Sequence, residues 1–504
     1  MRDNSNTFFR NRRQFIGTAS TVALASILPK AFAAAKAPTA FNPSLLAPLE
    51  TIWSEFETLA SFCPHYTGNA GHIKFVDFLA NGLQSAGLEV HRDTYKFPRW
   101  QAKNYAITAT PKGGAPQNIP VSFYYPQSGQ TGPNGVTAPL AYAGKLTTST
   151  GNTFTLPTDV KGKIAYVDFE VILRDYAEWF HSLGSYTPDT RLTTSMTSII
   201  AVAAPLLTEF KKAGAVGVIF GWTNLSEGHC KNQNLPFGHG LQEIPTLWVG
   251  PAAATKLRTL AQSGASATLT LDADIFQNSP TDTVYATLPG STPGEAIIIN
   301  THTDGPNAVQ ENGGIGIINL ARYLARVPQS QRNRSFVFVL ATGHYASEYV
   351  PSIYGFIKQH PDIIKQTVAS FAIEHLGCQE WLDNAAMQYV ATGKDDINYA
   401  VTRHPALAKI VLESAPGTGE NRVAAGSPTA KGRYLGEAAG IGNLNIPTMG
   451  YFAGPTYLNM EAPDACISKL SKTRMYGQLH MIAKALHKID ATPATELSQG
   501  IISA

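Results

Sequence analysis

The sequence predicts an α/β protein: a mainly parallel, mixed sheet sandwiched by helices, with a β-rich domain inserted into it. Three observations predict it. The C-terminal half alternates apolar strand candidates with helices, the rhythm of a parallel sheet covered on both faces. The stretch from 101 to 285 instead carries short β-like runs separated by Gly, Pro, Asn and Thr. At 504 residues the chain is also too long for one ordinary core.

The elements follow in chain order. RNRRQFIGTASTVALASILPKAFAAA places Arg12 and Arg13 before a moderately apolar stretch that ends in small residues. That order predicts a twin-arginine export signal over residues 1–35. Its apolar part is too short and too weak to span a membrane well, and no later segment is long enough. A soluble periplasmic or secreted product is expected. Residues 40–100 carry apolar positions at helical spacing in two segments, and SAGLEV turns from helix into strand. Within 101–285, GKIAYVDF, AVGVIFGW, IPTLWVG and ATLTLDA are strand candidates, and PLLTEFKKAGAVGVIFG reads as helix, glycine turn and buried strand. Residues 286–490 form the main α/β domain. Its strands are EAIIIN, SFVFVLA and VASFAIEHLG, with GIGIINLARYLARV as a helix between the first two. Residues 491–504 are a tail.

Composition narrows the function. Hydrophobic residues at 44% and charged residues at 15% describe a globular chain. A net charge of +3, with no basic run beyond the N-terminus, excludes a nucleic-acid partner. Cys63, Cys230, Cys378 and Cys466 are too far apart for a zinc knuckle; one disulfide and buried free thiols both fit.

Ligands of open parallel sheets bind beyond the carboxyl ends of the strands. AIIINTHTD puts His302 and Asp304 at the first such end, and Glu311 follows in ENGG, where glycines let a helix begin. SFVFVLATGHY puts His344 and Tyr345 at the second end, and VASFAIEHLG puts Glu374 and His375 at the third. A lone histidine there is usually structural, and a lone acid usually caps a helix. Three successive strands ending this way favour a functional site. Mixed imidazole and carboxylate suits zinc or another divalent metal, and an Asp beside a ligating His commonly orients it. GRYLGEAAGIGNLNIPTMGYFAGPTY is a candidate substrate wall through Glu437, Tyr451 and Tyr457, though a plain loop explains it as well. His229, Cys230 and His239 read as loop residues. The chain has neither a phosphate loop nor a GxSxG elbow.

Taken together, YTGNAGHIKFVDFLANGLQSAGLEV, GKIAYVDF through KKAGAVGVIFG to IPTLWVG, INTHTDG with ENGGIGIINLARYL, and PDACISKL resemble the secreted zinc peptidases. That family includes aminopeptidase Y, carboxypeptidase Q and, more distantly, glutaminyl cyclase. The resemblance covers most of the mature chain and implies the zinc-peptidase (phosphorylase/hydrolase-like) fold with an inserted protease-associated domain. It also implies two zinc ions bridged by an Asp and a water. By motif, the family's first His falls on His302, the orienting Asp on Asp304, the bridging Asp on Glu311 and the later Asp on Glu374. His302, Glu311 and Glu374 would hold one divalent metal, zinc by resemblance. Where the family has adjacent glutamates, this chain has His344 and Tyr345. Where the family has its last His ligand, YLNMEAPD offers Met460 or a neighbour.

The expected mechanism therefore uses a single metal. His344 replaces the Glu general base, since imidazole exchanges protons near neutral pH. Tyr345 hydrogen-bonds a developing oxyanion, or is simply an aromatic packed under the sheet. His375 is expected to touch substrate or to serve as an alternative ligand, although neighbours on a strand point to opposite faces. The expected function is an exported metal-dependent hydrolase cleaving a peptide, an amide or a related bond. The alternatives are a non-catalytic binding protein on a degenerate scaffold and a hydrolase redirected to a substrate such as a glycan.

Overall fold

The computed structural model describes residues 41–147, 156, 158–171, 174–175, 179–186, 193–194, 207–429 and 434–502. The export signal expected at 1–35 lies outside them. Two helices come first, α1 (Leu49–Phe62) and α2 (Ala70–Ser85). The Asn69 side chain caps α2 by accepting the His72 N–H. Their apolar stripes, with Ile52, Phe56 and Leu59 on α1 and Phe75, Leu79 and Leu83 on α2, are buried against the sheet.

The chain then runs out along β1 (Val90–Thr110) and returns along β6 (Ser266–Leu288). These strands pair antiparallel from Val90 opposite Ala286 to Thr110 opposite Ser266. Between them lie β2 (Val136–Thr147), β3 (Ile164–Glu170), β4 (Gly217–Trp222) and β5 (Thr246–Val249). Each pairs parallel with the next, and helix α3 (Pro251–Gln262) packs on them through Ala254 and Leu257. The segment is thus more α/β in character than its Gly- and Pro-rich texture suggested. Short-range turn signals report loops well but do not report how strands pair.

The main sheet uses the far end of β6 and adds β7 (Ala296–His302), β8 (Ser335–Ala341), β9 (Thr367–Ile373), β10 (Asn398–Val401), β11 (Val423–Pro428) and β12 (Thr448–Ala453). Its order is β6-β8-β7-β9-β12-β10-β11. The β8-β7-β9-β12 centre is parallel, whereas β6–β8 and β12–β10 are antiparallel. All seven residues of β7 are buried, as a parallel strand covered on both faces requires. On one side Ile297 and Ile299 meet α1, α2, α4 (Gly313–Arg326) and α7 (Lys472–Ala491). On the other, Ile298, Val337 and Val339 meet Ile353 and Phe356 of α5 (Ile353–Gln359) and Ile441 of α6 (Ala438–Gly442). The expected sandwich is therefore present. All four cysteines are free thiols. No helix among the described residues is long and apolar enough to cross a membrane.

Candidate metal centre

His302 is the last residue of β7, and its Nδ1 lies 3.0 Å from the Asp304 carbonyl oxygen. A carbonyl only accepts, so Nδ1 carries the proton and Nε2 faces the site. His375 repeats the arrangement, with Nδ1 2.6 Å from the Ala453 carbonyl. Both Nε2 atoms are buried without a hydrogen-bond partner, and each is 3.7 Å from Glu374 Oε2. The ligand atoms of His302, Glu374 and His375 all lie within 4.8 Å of one another.

Glu374 is held from behind. Its Oε1 accepts the Glu437 N–H at 2.9 Å, where the chain enters α6. Gly436, at φ +53°, leaves the room this needs, since a Cβ there would run into the Glu374 carboxylate. Burial pushes the Glu374 pKa up, but the neighbouring histidines overcome it and bring it to about 2. Burial likewise pulls His302 down, and Glu374 pushes it up to about 9. His375, where burial prevails, falls to about 4. Even with a proton on His302, the His375 lone pair faces a carboxylate, acceptor against acceptor. A divalent cation satisfies all three groups at once, and two imidazoles with one carboxylate are a fitting donor set for zinc.

His375 thus joins Glu374 on one side, although adjacent strand residues were expected to diverge. The reason is that β9 ends at Ile373 and His375 adopts φ +58°, so the alternation no longer applies. Glu311, expected as a ligand, is not in the group. Its carboxylate is in close contact with His65 Nδ1 in the core, where both side chains are fully buried. His65 Nε2 donates to the Leu59 carbonyl at 3.0 Å, leaving Nδ1 to share a proton with Glu311. Burial pulls the His65 pKa down, yet Glu311 holds it above its ordinary value. Backbone hydrogen bonds in both directions between His65 and Gly305 fix this contact. Cys63, His65 and Glu311 form a second cluster of ligand-type atoms.

Asp304 also differs from expectation: its backbone carbonyl orients His302, while its carboxylate organises the neighbouring turn. The carboxylate accepts the N–H groups of Gly343, His344 and Tyr345 at 3.1, 3.2 and 2.8 Å, and the Thr67 hydroxyl at 2.5 Å. That turn sets the His344 ring parallel to His302, with centroids 4.1 Å apart. His344 Nδ1 lies 3.3 Å from Glu437 Oε1, which also accepts the Ser352 hydroxyl at 2.8 Å. With its side chain 20% exposed, His344 is the solvent-facing member of the group.

Tyr345 is buried, stacks on Phe237 with centroids 4.3 Å apart, and donates its hydroxyl to Asn459 Oδ1 at 2.5 Å. Met460, beside Asn459, packs in the core. Asn307, in the loop after β7, pins this segment by donating to the carbonyls of Tyr457, Leu458 and Met460. Glu437 sits at the site. Tyr451 and Tyr457 do not turn their hydroxyls to it: Tyr451 donates to Glu420, and Tyr457 to the carbonyls of Gln379 and Lys469. His239 bonds the Gly240 carbonyl as a loop residue, whereas His229 and Cys230, also read as loop residues, lie in a short helix (Glu227–Cys230) from which His229 bonds Asp383. His65 and Asn459 were missed in the sequence. Only the fold brings these polar residues of ordinary segments to the strand ends.

No family model and no curated protein matches the chain. Solved structures do. A peptidase M28 precursor from Shewanella amazonensis SB2B is 17% identical, with a TM-score of 0.60 over 88% of this chain and 96% of its own. An aminopeptidase from Aneurinibacillus sp. strain AM-1 is 16% identical, with a TM-score of 0.58 over 89% and 96%. The zinc aminopeptidase BSAP from Bacillus subtilis is 18% identical, with a TM-score of 0.57 over 90% and 98%. At such identities the likeness is one of architecture, and the chain has the fold of these aminopeptidases.

Proposed function

We propose that this protein is a metal-dependent hydrolase of peptide or amide bonds, exported by its twin-arginine leader. One divalent ion, zinc by analogy with the aminopeptidases that share the fold, would be held by His302, Glu374 and His375. The observation that carries this reading is the pair of buried Nε2 atoms converging on Glu374, with both Nδ1 atoms committed to carbonyls. The ion would supply Lewis acidity and make a water easier to deprotonate. His344, oriented by Glu437, takes the proton of the attacking water and returns it to the leaving amine. Asp304 positions His344 through the backbone of its turn. Phe237 and Tyr345 wall the site beside it. The segment carried on the β1–β6 ribbon is taken as a protease-associated domain on the strength of its sequence.

Metal analysis of the purified full chain tests the ligand set. Wild type is expected to carry about one equivalent of divalent metal, His375→Ala less than about a tenth, and Glu311→Gln a normal content. His344→Ala should keep its metal and lose turnover of aminoacyl anilides by about 100-fold or more. Loss of metal in His344→Ala would make that residue a ligand and end its assignment as base. A wild type with no metal and no uptake of added zinc would end the hydrolase reading.

A further inference from the structure

Beside the His344 turn lies a cavity of about 280 Å³ that the candidate metal group does not use. Its walls come from distant parts of the chain: Tyr66 before α2, Trp100 and Tyr105 on β1, Tyr124 and Phe237 from the inserted segment, and Glu461 after β12. The rings enclose a concave surface, with Tyr124 5.4 Å from both Trp100 and Tyr105, centroid to centroid.

Glu461 is the acid in this lining. Its Oε2 accepts the Tyr66 hydroxyl at 2.8 Å, and among the described residues no Lys, Arg or His lies within ion-pair distance of it. Its backbone is fixed to the inserted segment, since its N–H donates to the Asn232 carbonyl and its own carbonyl accepts from Asn232 Nδ2. The cationic residue on the wall, Arg99, is engaged by other partners: it bonds Gln101 at 2.6 Å and lies over Phe276 at 4.2 Å. A rigid carboxylate among aromatic faces, with no cation of its own, is the chemistry that recognises an organic cation. Burial holds the Glu461 pKa above the ordinary carboxylate range, with Tyr66 opposing, as expected of an acid without a cationic partner.

Two rings separate this carboxylate from the reacting centre. Tyr66 lies 6.2 Å from Tyr345, and Tyr345 lies 5.8 Å from His344, between ring centroids. A cation seated at Glu461 must therefore be carried several bonds from the bond being cleaved, which suits a long side chain better than a terminal amine. We propose that this cavity is the subsite for a basic side chain of the substrate, a guanidinium or primary ammonium on an aliphatic stem. It rests on the hydrolase reading for the cavity's place beside a reaction, but the cation preference stands on the cavity alone.

Calorimetric titration of the purified full chain tests it without turnover. The probes are N-acetylargininamide, N-acetylleucinamide and leucinamide, so that side-chain and terminal cations are read separately. The arginine probe should bind at least tenfold more tightly than N-acetylleucinamide, and leucinamide should gain nothing over its acetylated form. Glu461→Gln, which keeps an acceptor for Tyr66, should abolish the preference. Tyr105→Ala, which removes a half-buried ring, should weaken it at least threefold. Equal binding of the arginine and leucine probes, a preference that survives in Glu461→Gln, or tighter binding of leucinamide would each overturn the subsite. An inactive protein that still prefers the arginine probe would retain the subsite while the hydrolase reading fell, and an active one without the preference would do the reverse.

Discussion

Asp304 shows how one side chain can carry a site it does not touch. Its buried carboxylate gathers three backbone N–H groups and one hydroxyl, and burial alone would make that charge costly. The nearby imidazoles of His72, His302 and His344 and the Thr67 hydroxyl outweigh burial and hold its pKa below the ordinary range. Asp304→Ala strands these donors, so a destabilisation of about 4 kcal/mol is expected by chemical denaturation, together with loss of turnover. Asp304→Asn keeps one acceptor oxygen and should cost roughly half as much. A variant as stable as wild type would show that the turn at 343–345 holds itself. The sequence marks Asp304 through its place beside His302, but its partners are 39 to 237 residues away and leave no local pattern.

At the scale of elements, the legible part of the site is its frame. Apolar runs such as AIIIN and SFVFVLA must be buried strands, and the polar residues after them must gather at one sheet end. What could not be read was how each strand exits. His375 joins Glu374 because β9 stops at Ile373, and Glu311 is withdrawn because the loop between α1 and α2 brings His65 against it. Backbone dihedrals and loop docking decided both. The entry to α6 shows the same dependence on an exit: Gly436 and the Glu437 N–H together form the seat of Glu374. Gly436→Ala combines a strained positive φ with a Cβ inside that seat, so it should displace the carboxylate and lower metal content at least tenfold, with a melting temperature only a few degrees lower. Full metal content in that variant would mean the turn relaxes without disturbing Glu374.

At the scale of the whole molecule, the α/β architecture was legible from periodicity. The junctions between its parts were not, because they rest on single buried polar residues. His72 is such a junction, joining α2 to the β6 ribbon, the loop after β7 and the end of β8. Its Nδ1 accepts the Gly68 N–H at 3.0 Å and lies 3.5 Å from the Thr281 hydroxyl, while Nε2 meets the Thr303 hydroxyl at 2.9 Å. Thr303 in turn donates to the Ala341 carbonyl. This network needs a neutral ring, and burial, aided by His65 and His302 and opposed by Asp304 and Asp282, lowers the His72 pKa to about 4. The unfolded chain titrates near 6.5, so between these values it binds more protons than the native state. The contribution of His72 is therefore fully present above about pH 6.5 and is lost as pH falls toward 4, about 2 kcal/mol of it by pH 5. His72→Gln should be less stable than wild type at pH 7.5 but should lose less on acidification, so that their melting temperatures converge by pH 5. Parallel curves for the two proteins over that range would place the acid sensitivity of the fold elsewhere.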